Sequence, residues 1–225
     1  ADTARGISGY CDAIMIRTGE HAKPEELAAA ASVPVINGLT ELYHPCQILA
    51  DMLTLIERKG ARGGGKWAGF GEGHNVCNSL VEAAGLMAFA LTVACPEGFE
   101  PDMGALKEAA ARGRSVPIVR DAAAAAVGAD VVVTDTWTSM GQADSDNRAK
   151  VMAPYAVDEA LMLGAGAQAL FVHCLPAHRG AAVIAAGRDR PHAAGWSEAD
   201  ARAHAQAGPP LGYAGSRAAP HTTPG

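Results

Sequence analysis

Three short polar runs, each at the end of an apolar stretch, carry the side chains that could do chemistry. They are His-Pro-Cys-Gln at 44–47, Asp-Thr-Trp-Thr-Ser-Met-Gly at 135–141 and His-Cys-Leu-Pro at 173–176. Polar side chains at strand ends face ligands in open α/β sheets. Because the runs lie on separate elements, we predict one cleft assembled from strand ends.

The first run places an imidazole and an amide at the start of a predicted helix. His44 and Gln47 lie three residues apart on one side of the first turn, and Pro45 takes the favoured first position. The free N–H groups of that turn attract anions, which suits a phosphate or a polarised carbonyl. Arg17, at the end of an earlier apolar run, could bind an anion bidentately. An ordinary helix cap with an exposed His44 and a solvated Arg17 are the alternatives.

The later runs offer a carboxylate and a thiol. Asp135 could pair with a substrate ammonium group or simply start a turn. Ser139 and Met140 could close over a ligand, although packing also explains a methionine. Cys174 lies among histidine and arginine residues, and nearby positive charge lowers a thiol pKa, so we expect a thiolate unless the cysteine is inert packing material.

The glycine-rich run at 69–75 follows a predicted strand and opens a predicted helix. It does not match the dinucleotide pattern G-x-G-x-x-G, because Val76 occupies the place of the third glycine. Asn75 is predicted to cap the helix and to meet a ligand amine or carboxylate with its amide.

Composition restricts the function classes. A formal net charge of -6 argues against nucleic-acid binding. No apolar stretch approaches the ~20 residues of a membrane span, and no signal peptide is expected. The five cysteines form no C-x-x-C pair, which argues against a structural zinc site and favours a reducing cytosol.

Apolar runs alternate with helical patterns, and this alternation predicts a parallel α/β fold. The predicted strands are 13–16, 33–36, 66–70, 90–94, 116–119, 130–134 and 169–173. The predicted helices are 45–59, 76–89, 102–113, 121–127 and 156–163.

The glycines at 60–65 predict a boundary, since glycine is costly to order. We therefore expect the remainder of a first domain at 1–62, truncated on its N-terminal side because it holds only two strands. A second domain is expected at 63–180, a C-terminal helical return at 181–207 and a disordered tail at 208–225.

Taken together, the motifs resemble those of the ornithine carbamoyltransferases, within the aspartate/ornithine carbamoyltransferase superfamily. The matching pieces are Asn-Gly-Leu at 37–39, His-Pro-Cys-Gln-Ile-Leu-Ala-Asp at 44–51, Asn-Val-Cys-Asn-Ser-Leu at 75–80, the run from Asp135 to Gln142, and the run from His173 to Gly180. Aspartate carbamoyltransferases share the first of the longer motifs, whereas Ser-Met-Gly and His-Cys-Leu-Pro resemble the ornithine branch.

The resemblance implies two doubly wound parallel-sheet domains that transfer a carbamoyl group from carbamoyl phosphate to L-ornithine. It implies L-citrulline and phosphate as products, a role in arginine biosynthesis, a cytoplasmic homotrimer, and neither a metal nor an organic cofactor. Arg17, His44 and Cys174 would be catalytic. By the same resemblance, the substrate-binding residues are Arg17, His44, Gln47 and Arg202 for carbamoyl phosphate, Asn75, Asp135, Ser139 and Met140 for ornithine, and Cys174 with Leu175 between the two.

The chain also departs from the family pattern. The 225 residues contain no Ser-x-Arg-Thr-Arg phosphate-binding run, so we expect poor binding of carbamoyl phosphate and impaired activity. Glu72 and His74 stand where the family usually has Asp and Asn. Two alternatives remain: a non-catalytic ornithine-binding or regulatory remnant, and a carbamoyltransferase for a related amine such as putrescine or an acylated ornithine.

Overall fold

The computed structural model of the protein describes residues 1–60, 65–137 and 145–174. Within these ranges the strands form two separate parallel sheets, one of two strands and one of five. The strands are β1 (Ile14–Arg17), β2 (Val35–Leu39), β3 (Lys66–Phe70), β4 (Ala90–Ala94), β5 (Ile118–Val119), β6 (Val131–Thr134) and β7 (Leu170–His173).

The described helices alternate with these strands. They are α1 (Asp2–Ser8), α2 (Ala22–Ala30), α3 (Pro45–Lys59), α4 (Asn75–Met87), α5 (Met103–Ala111), α6 (Ala122–Ala126), α7 (Ser145–Met152) and α8 (Glu159–Ala165), with a short 3-10 helix at Ala153–Tyr155. This alternation confirms the predicted parallel α/β class.

The larger sheet has the strand order β5-β4-β3-β6-β7, and all its pairings are parallel. The chain starts in the middle at β3, winds outwards to β5, returns to β6 beside β3, and continues to β7. This is a doubly wound sheet, and its winding reverses between β3 and β6. In such sheets a crevice opens outside the carboxyl ends of the strands at the reversal.

Side chains alternate between the faces of this sheet, so each face builds its own core. Trp67 and Val131 belong to a core that α3, α4 and α5 cover. Ala68 and Val132, each one residue later, belong to a second core that α6 and α8 cover. Burial of each large apolar side chain contributes ~1.5–3 kcal/mol, so the two covered faces fix the sheet firmly.

The smaller sheet pairs β1 with β2 from Ile14 opposite Val35 to Arg17 opposite Leu39, with an irregularity just before Arg17. Helices α1 and α2 pack near it, and the sequence patterns did not predict them. The 40–44 segment connects β2 to α3. Gly60, which follows the last residue of α3 as its C-cap, has a φ of 82°.

The predicted elements of the second sheet need only small corrections. The predictions for β3, β4 and α3 have the observed bounds, and the other strands shift by one or two residues. The predicted helix at 156–163 was wrong at its start, because the Asp158 carboxylate accepts a hydrogen bond from the Leu161 N–H (2.8 Å) and caps α8 there. Helix α7 was not predicted.

Two further findings concern the predicted C-terminal segments and membrane-spanning helices. The helical return at 181–207 and the tail at 208–225 lie outside the described residues. Across residues 1–60, 65–137 and 145–174, no helix has the length and apolar character that crossing a bilayer requires.

Candidate functional site at the carboxyl edge of the larger sheet

The candidate site lies where the winding of the larger sheet reverses. Asp135 directly follows β6, Cys174 directly follows β7, and the 71–75 segment follows β3. The Thr134 hydroxyl donates to the Phe70 carbonyl oxygen (3.0 Å), so the ends of β6 and β3 stay together. A small cleft opens here, and its lining includes Phe70, Glu72, Val76, Cys77, Thr134 and Asp135.

Asp135 and Cys174 are in direct contact. The Cys174 thiol donates to Oδ1 of Asp135, which also accepts hydrogen bonds from the Thr136 backbone N–H (2.6 Å) and hydroxyl (3.2 Å). A thiol must keep its proton to donate to a carboxylate. A Cys174 thiolate would lose this donor and lie against a carboxylate, and it stays a prediction.

The environment of Asp135 suits a cationic ligand. Burial raises the pKa of this carboxyl above its ordinary value, while the hydrogen bonds from Cys174 and Thr136 and the positive influence of His74 oppose that rise. No ion pair to Asp135 forms within the described part of the chain. An ammonium group arriving at this carboxylate would supply the charge that its surroundings lack.

Asn75 connects the two sheets. Its Nδ2 donates to the Thr40 carbonyl oxygen (2.7 Å), and its Oδ1 accepts from the N–H of Val76 (2.8 Å). Helix α4 begins at Asn75 and the cap position is His74, whose side chain makes no capping hydrogen bond. The predicted capping role of Asn75 was therefore wrong, because α4 begins at Asn75 itself, one residue earlier than predicted.

The same face of α4 holds the rest of the 40–44 segment. Nδ2 of Asn78 donates to the Leu42 carbonyl oxygen (3.1 Å), and the His44 backbone N–H donates to the Ser79 hydroxyl (2.8 Å). Sequence reasoning did not single out Asn78 and Ser79. Two polar residues on an otherwise apolar, buried face of a helix were the available signal.

His44 and Gln47 are buried at the start of α3, at 7% and 0% exposure. The alternative of an exposed cap was therefore wrong for His44. The Gln47 amide nitrogen donates to Oδ1 of Asp51 one turn later (3.0 Å). This hydrogen bond fixes the orientation of the Gln47 side chain within α3.

Arg17 lies apart from the Asp135–Cys174 pair. It is the last residue of β1, and its exposed guanidinium makes no hydrogen bond or ion pair with any residue in the ranges 1–60, 65–137 and 145–174. The Thr18 N–H donates to the Leu39 carbonyl oxygen (3.0 Å), so the chain after Arg17 stays against the end of β2.

The remaining predicted site residues cannot be placed. Ser139, Met140, Leu175 and Arg202 lie outside the described residues. Among the residues that are described, no group of three or more His, Cys, Asp or Glu side chains could hold a metal ion.

Two protein-family models match this chain. Residues 64–208 match the family model described as the Asp/Orn binding domain of aspartate/ornithine carbamoyltransferase. Residues 1–57 match the model for the carbamoyl-P binding domain of the same proteins. The chain belongs to the aspartate/ornithine carbamoyltransferase family.

Members of this family are similar along most of the chain. An ornithine carbamoyltransferase of Rhizorhabdus wittichii is 54% identical over 206 residues, which are 92% of this chain and 67% of the relative. The solved ornithine carbamoyltransferase of Pyrococcus furiosus is 44% identical with a TM-score of 0.85, covering 91% of this chain and 67% of that one. The anabolic enzyme of Campylobacter jejuni is 32% identical with a TM-score of 0.89, covering 96% and 73%. The chain thus spans about two thirds of the length of these relatives, and the family resemblance read from the motifs is confirmed.

Proposed function

We propose that this site serves the transfer of a carbamoyl group from carbamoyl phosphate to the δ-amine of L-ornithine, which gives L-citrulline and phosphate. The observation that carries the proposal is the Asp135–Cys174 pair at the ends of neighbouring strands β6 and β7. The names of the relatives support the same reaction.

Asp135 receives the α-ammonium group of ornithine in this proposal. The δ-amine has to be neutral to attack the carbonyl carbon, so the cation that a buried carboxylate recognises is the α-ammonium group. Cys174, which already contacts Asp135, lies between the substrates and orients the δ-amine. Ser139 and Met140 would hold the same substrate, and Leu175 would lie beside Cys174. Asn75 supports this subsite from α4.

The chemical step forms one bond and breaks one bond. The lone pair of the δ-amine forms the C–N bond, the C–O bond to phosphate breaks, and the departing phosphate takes the proton from the nitrogen. Arg17 and His44 would stabilise the developing oxyanion, with Gln47 and Arg202 as further carbamoyl phosphate contacts. Positioning the two substrates supplies much of the acceleration. The step as proposed uses neither a metal nor an organic cofactor.

We further propose the domain boundary near residue 62, a cytoplasmic location, a role in arginine biosynthesis and assembly into homotrimers. The family resemblance supports these points.

Calorimetric titration of the chain with L-ornithine tests the proposal directly. We expect ornithine to bind, and Asp135→Asn to remove most of the affinity. Asp121→Asn is the matched control, since the Asp121 carboxylate caps α6 by accepting from the Ala124 N–H (3.1 Å) and makes no hydrogen bond to any site residue that the structure describes. Absence of ornithine binding, or equal effects of the two substitutions, would contradict the assignment.

A second candidate is a non-catalytic ornithine-binding remnant, because the Asp135–Cys174 pair would serve ornithine binding without turnover as well. A colorimetric citrulline assay with both substrates separates the two candidates. Ornithine binding without citrulline formation supports the remnant, whereas turnover supports the enzyme. Competition with putrescine tests the related-amine alternative: putrescine lacks an α-ammonium group beside a carboxylate, so we expect it to displace ornithine poorly.

A further inference from the structure

Arg148, on α7, contacts three chain segments at the rim of the cleft. Its guanidinium forms an ion pair with Glu72, its Nε donates to the Trp137 carbonyl oxygen (3.1 Å), and its Cζ lies 5.2 Å from the centre of the Phe99 ring. These three partners follow β3, β6 and β4 respectively. The side chains of Arg148 and Glu72 are each only 18% exposed, so water screens their attraction weakly.

Glu72 lines the same cleft as Asp135. Both carboxylates also raise the pKa of the Cys77 thiol, behind the larger effects of its burial and of Cys95. A second unpaired carboxylate here would compete with Asp135 for a cationic group. The ion pair with Arg148 cancels the charge of Glu72 and leaves that of Asp135 available.

Arg148 also acts on the backbone that carries Asp135. The Trp137 carbonyl oxygen that it holds lies two residues after Asp135. The Trp137 ring is buried against Gly71, where an added Cβ would come 3.3 Å from the indole nitrogen. Trp137 is thus held by its carbonyl and by its ring, and this leaves the preceding Asp135 little freedom to move.

We propose that Glu72 and Arg148 form a positioning pair that fixes Asp135 as the one carboxylate of the cleft that receives the α-ammonium group of the substrate. This inference rests on the proposed function and adds a determinant of specificity to it. Neither residue of the pair touches the substrate; both act through Asp135.

The test compares two ligands by calorimetry with the full 225-residue chain. L-Ornithine carries the α-ammonium group and 5-aminovalerate lacks it, so their affinity ratio reports on Asp135 alone. We expect Arg148→Met to lower this ratio about tenfold or more, the size of effect that losing a close charge pair produces. A purely structural role would weaken both ligands together and leave the ratio unchanged.

The double variant Glu72→Gln with Arg148→Met separates the two parts of the role. Removing the unpaired carboxylate is expected to recover part of the lost ratio, although the Trp137 contact stays absent. Arg112→Met is the matched control, because it removes a guanidinium whose partner is Glu108 on the exposed side of α5 (2.9 Å). This control should leave the ratio as it is.

An unchanged ratio in Arg148→Met, or a double variant no better than the single one, overturns the positioning pair while ornithine binding by the unmodified chain keeps the proposed function. An unmodified chain that fails to prefer ornithine over 5-aminovalerate overturns both. If Arg148→Met shows no cooperative thermal transition, Arg148→Lys takes its place. A lysine keeps the charge but lacks the planar fork that meets Glu72 through Nη2 and the Trp137 carbonyl through Nε. A smaller loss in the same direction is therefore expected, and no loss refutes the proposal.

Discussion

Replacing Asp135 with asparagine should weaken ornithine binding and stabilise the fold at the same time. The amide keeps the shape and an oxygen that accepts from the Thr136 N–H, so the substitution removes little except the charge. At ~4 Å and an effective dielectric constant of ~20, an ion pair is worth about 4 kcal/mol. Charge-assisted hydrogen bonds measure ~1.5–3 kcal/mol. A loss of about 2–4 kcal/mol corresponds to a roughly 30- to 700-fold weaker affinity for ornithine.

The expected gain in stability follows from the raised pKa of Asp135. Burial makes the folded chain hold this proton more tightly than the unfolded chain, whose aspartate pKa is about 3.9. Between the unfolded and the folded pKa the native state binds more protons, so its free energy of unfolding falls as pH rises through that window. Above the window the native state bears the cost of a partly buried charge, which asparagine removes. The stability difference should therefore be largest at neutral pH and shrink towards pH 4.

Thermal unfolding from pH 4.5 to 8, together with calorimetry at pH 7.5, measures both effects. Asp121→Asn serves again as the control, since it removes a charge from an exposed helix cap. We expect the control to change stability by less than about 1 kcal/mol and ornithine affinity not at all. A variant at Asp135 that binds ornithine normally, or that melts at a lower temperature than the unmodified chain at pH 7.5, would refute the reasoning.

Three further substitutions test the site and its support. Cys174→Ala should weaken ornithine binding more than carbamoyl phosphate binding by calorimetry, and equal losses would argue against its place beside Asp135. Gly73→Ala should lower the free energy of unfolding in urea by more than about 2 kcal/mol, because the added Cβ would lie 2.1 Å from a backbone nitrogen. Gly164→Ala in α8 is the control: its Cβ meets nothing within 4 Å, so the free energy of unfolding should rise by up to ~1 kcal/mol. Asn75→Ala should cost ~1–3 kcal/mol and reduce ornithine affinity, because a buried carbonyl loses its donor; unchanged stability would contradict this.

The larger sheet was predictable because its strands are covered on both faces. Strands β3 and β4 read as short, continuous apolar runs, and no alternative structure suits such runs between helical patterns. Helix α3 was equally clear, since its apolar residues recur at helical spacing and Pro45 marks its start.

The missed helices have weaker patterns. Helix α2 consists mostly of alanine and charged residues, and Pro24 is its only buried residue, so its sequence shows no apolar stripe that predicts a helix. Helix α7 is largely polar, and its described contacts come from Arg148, which reaches Glu72, Trp137 and Phe99, and from Met152, which packs into the second core. Local patterns carry no information about such partners, and tertiary contacts decide whether the helix forms.

At the site, the sequence indicated which residues end the strands but not what each would contact. Asn75 was expected to offer its amide to a ligand, yet Nδ2 holds Thr40. The sequence left His44 open between a ligand-binding residue and an exposed helix cap; the structure buries it, and its backbone N–H donates to the Ser79 hydroxyl. Both corrections come from contacts between α4 and the 40–44 segment. The relative placement of two sheets cannot be read from the periodicity of either one.

The contrast between Glu72 and Asp135 shows that the partners of each carboxylate at this edge are known only from the folded structure. Both carboxylates follow strands at the point where the winding reverses, and their charge alone does not distinguish them as receptors of a cation. Packing distinguishes them: Glu72 meets the guanidinium of Arg148, whereas Asp135 meets neutral donors from Cys174 and Thr136. Neutral donors hold a carboxylate in place without cancelling its charge. The negative charge of Asp135 therefore stays available to a substrate cation, provided that Arg148 neutralises the charge of Glu72.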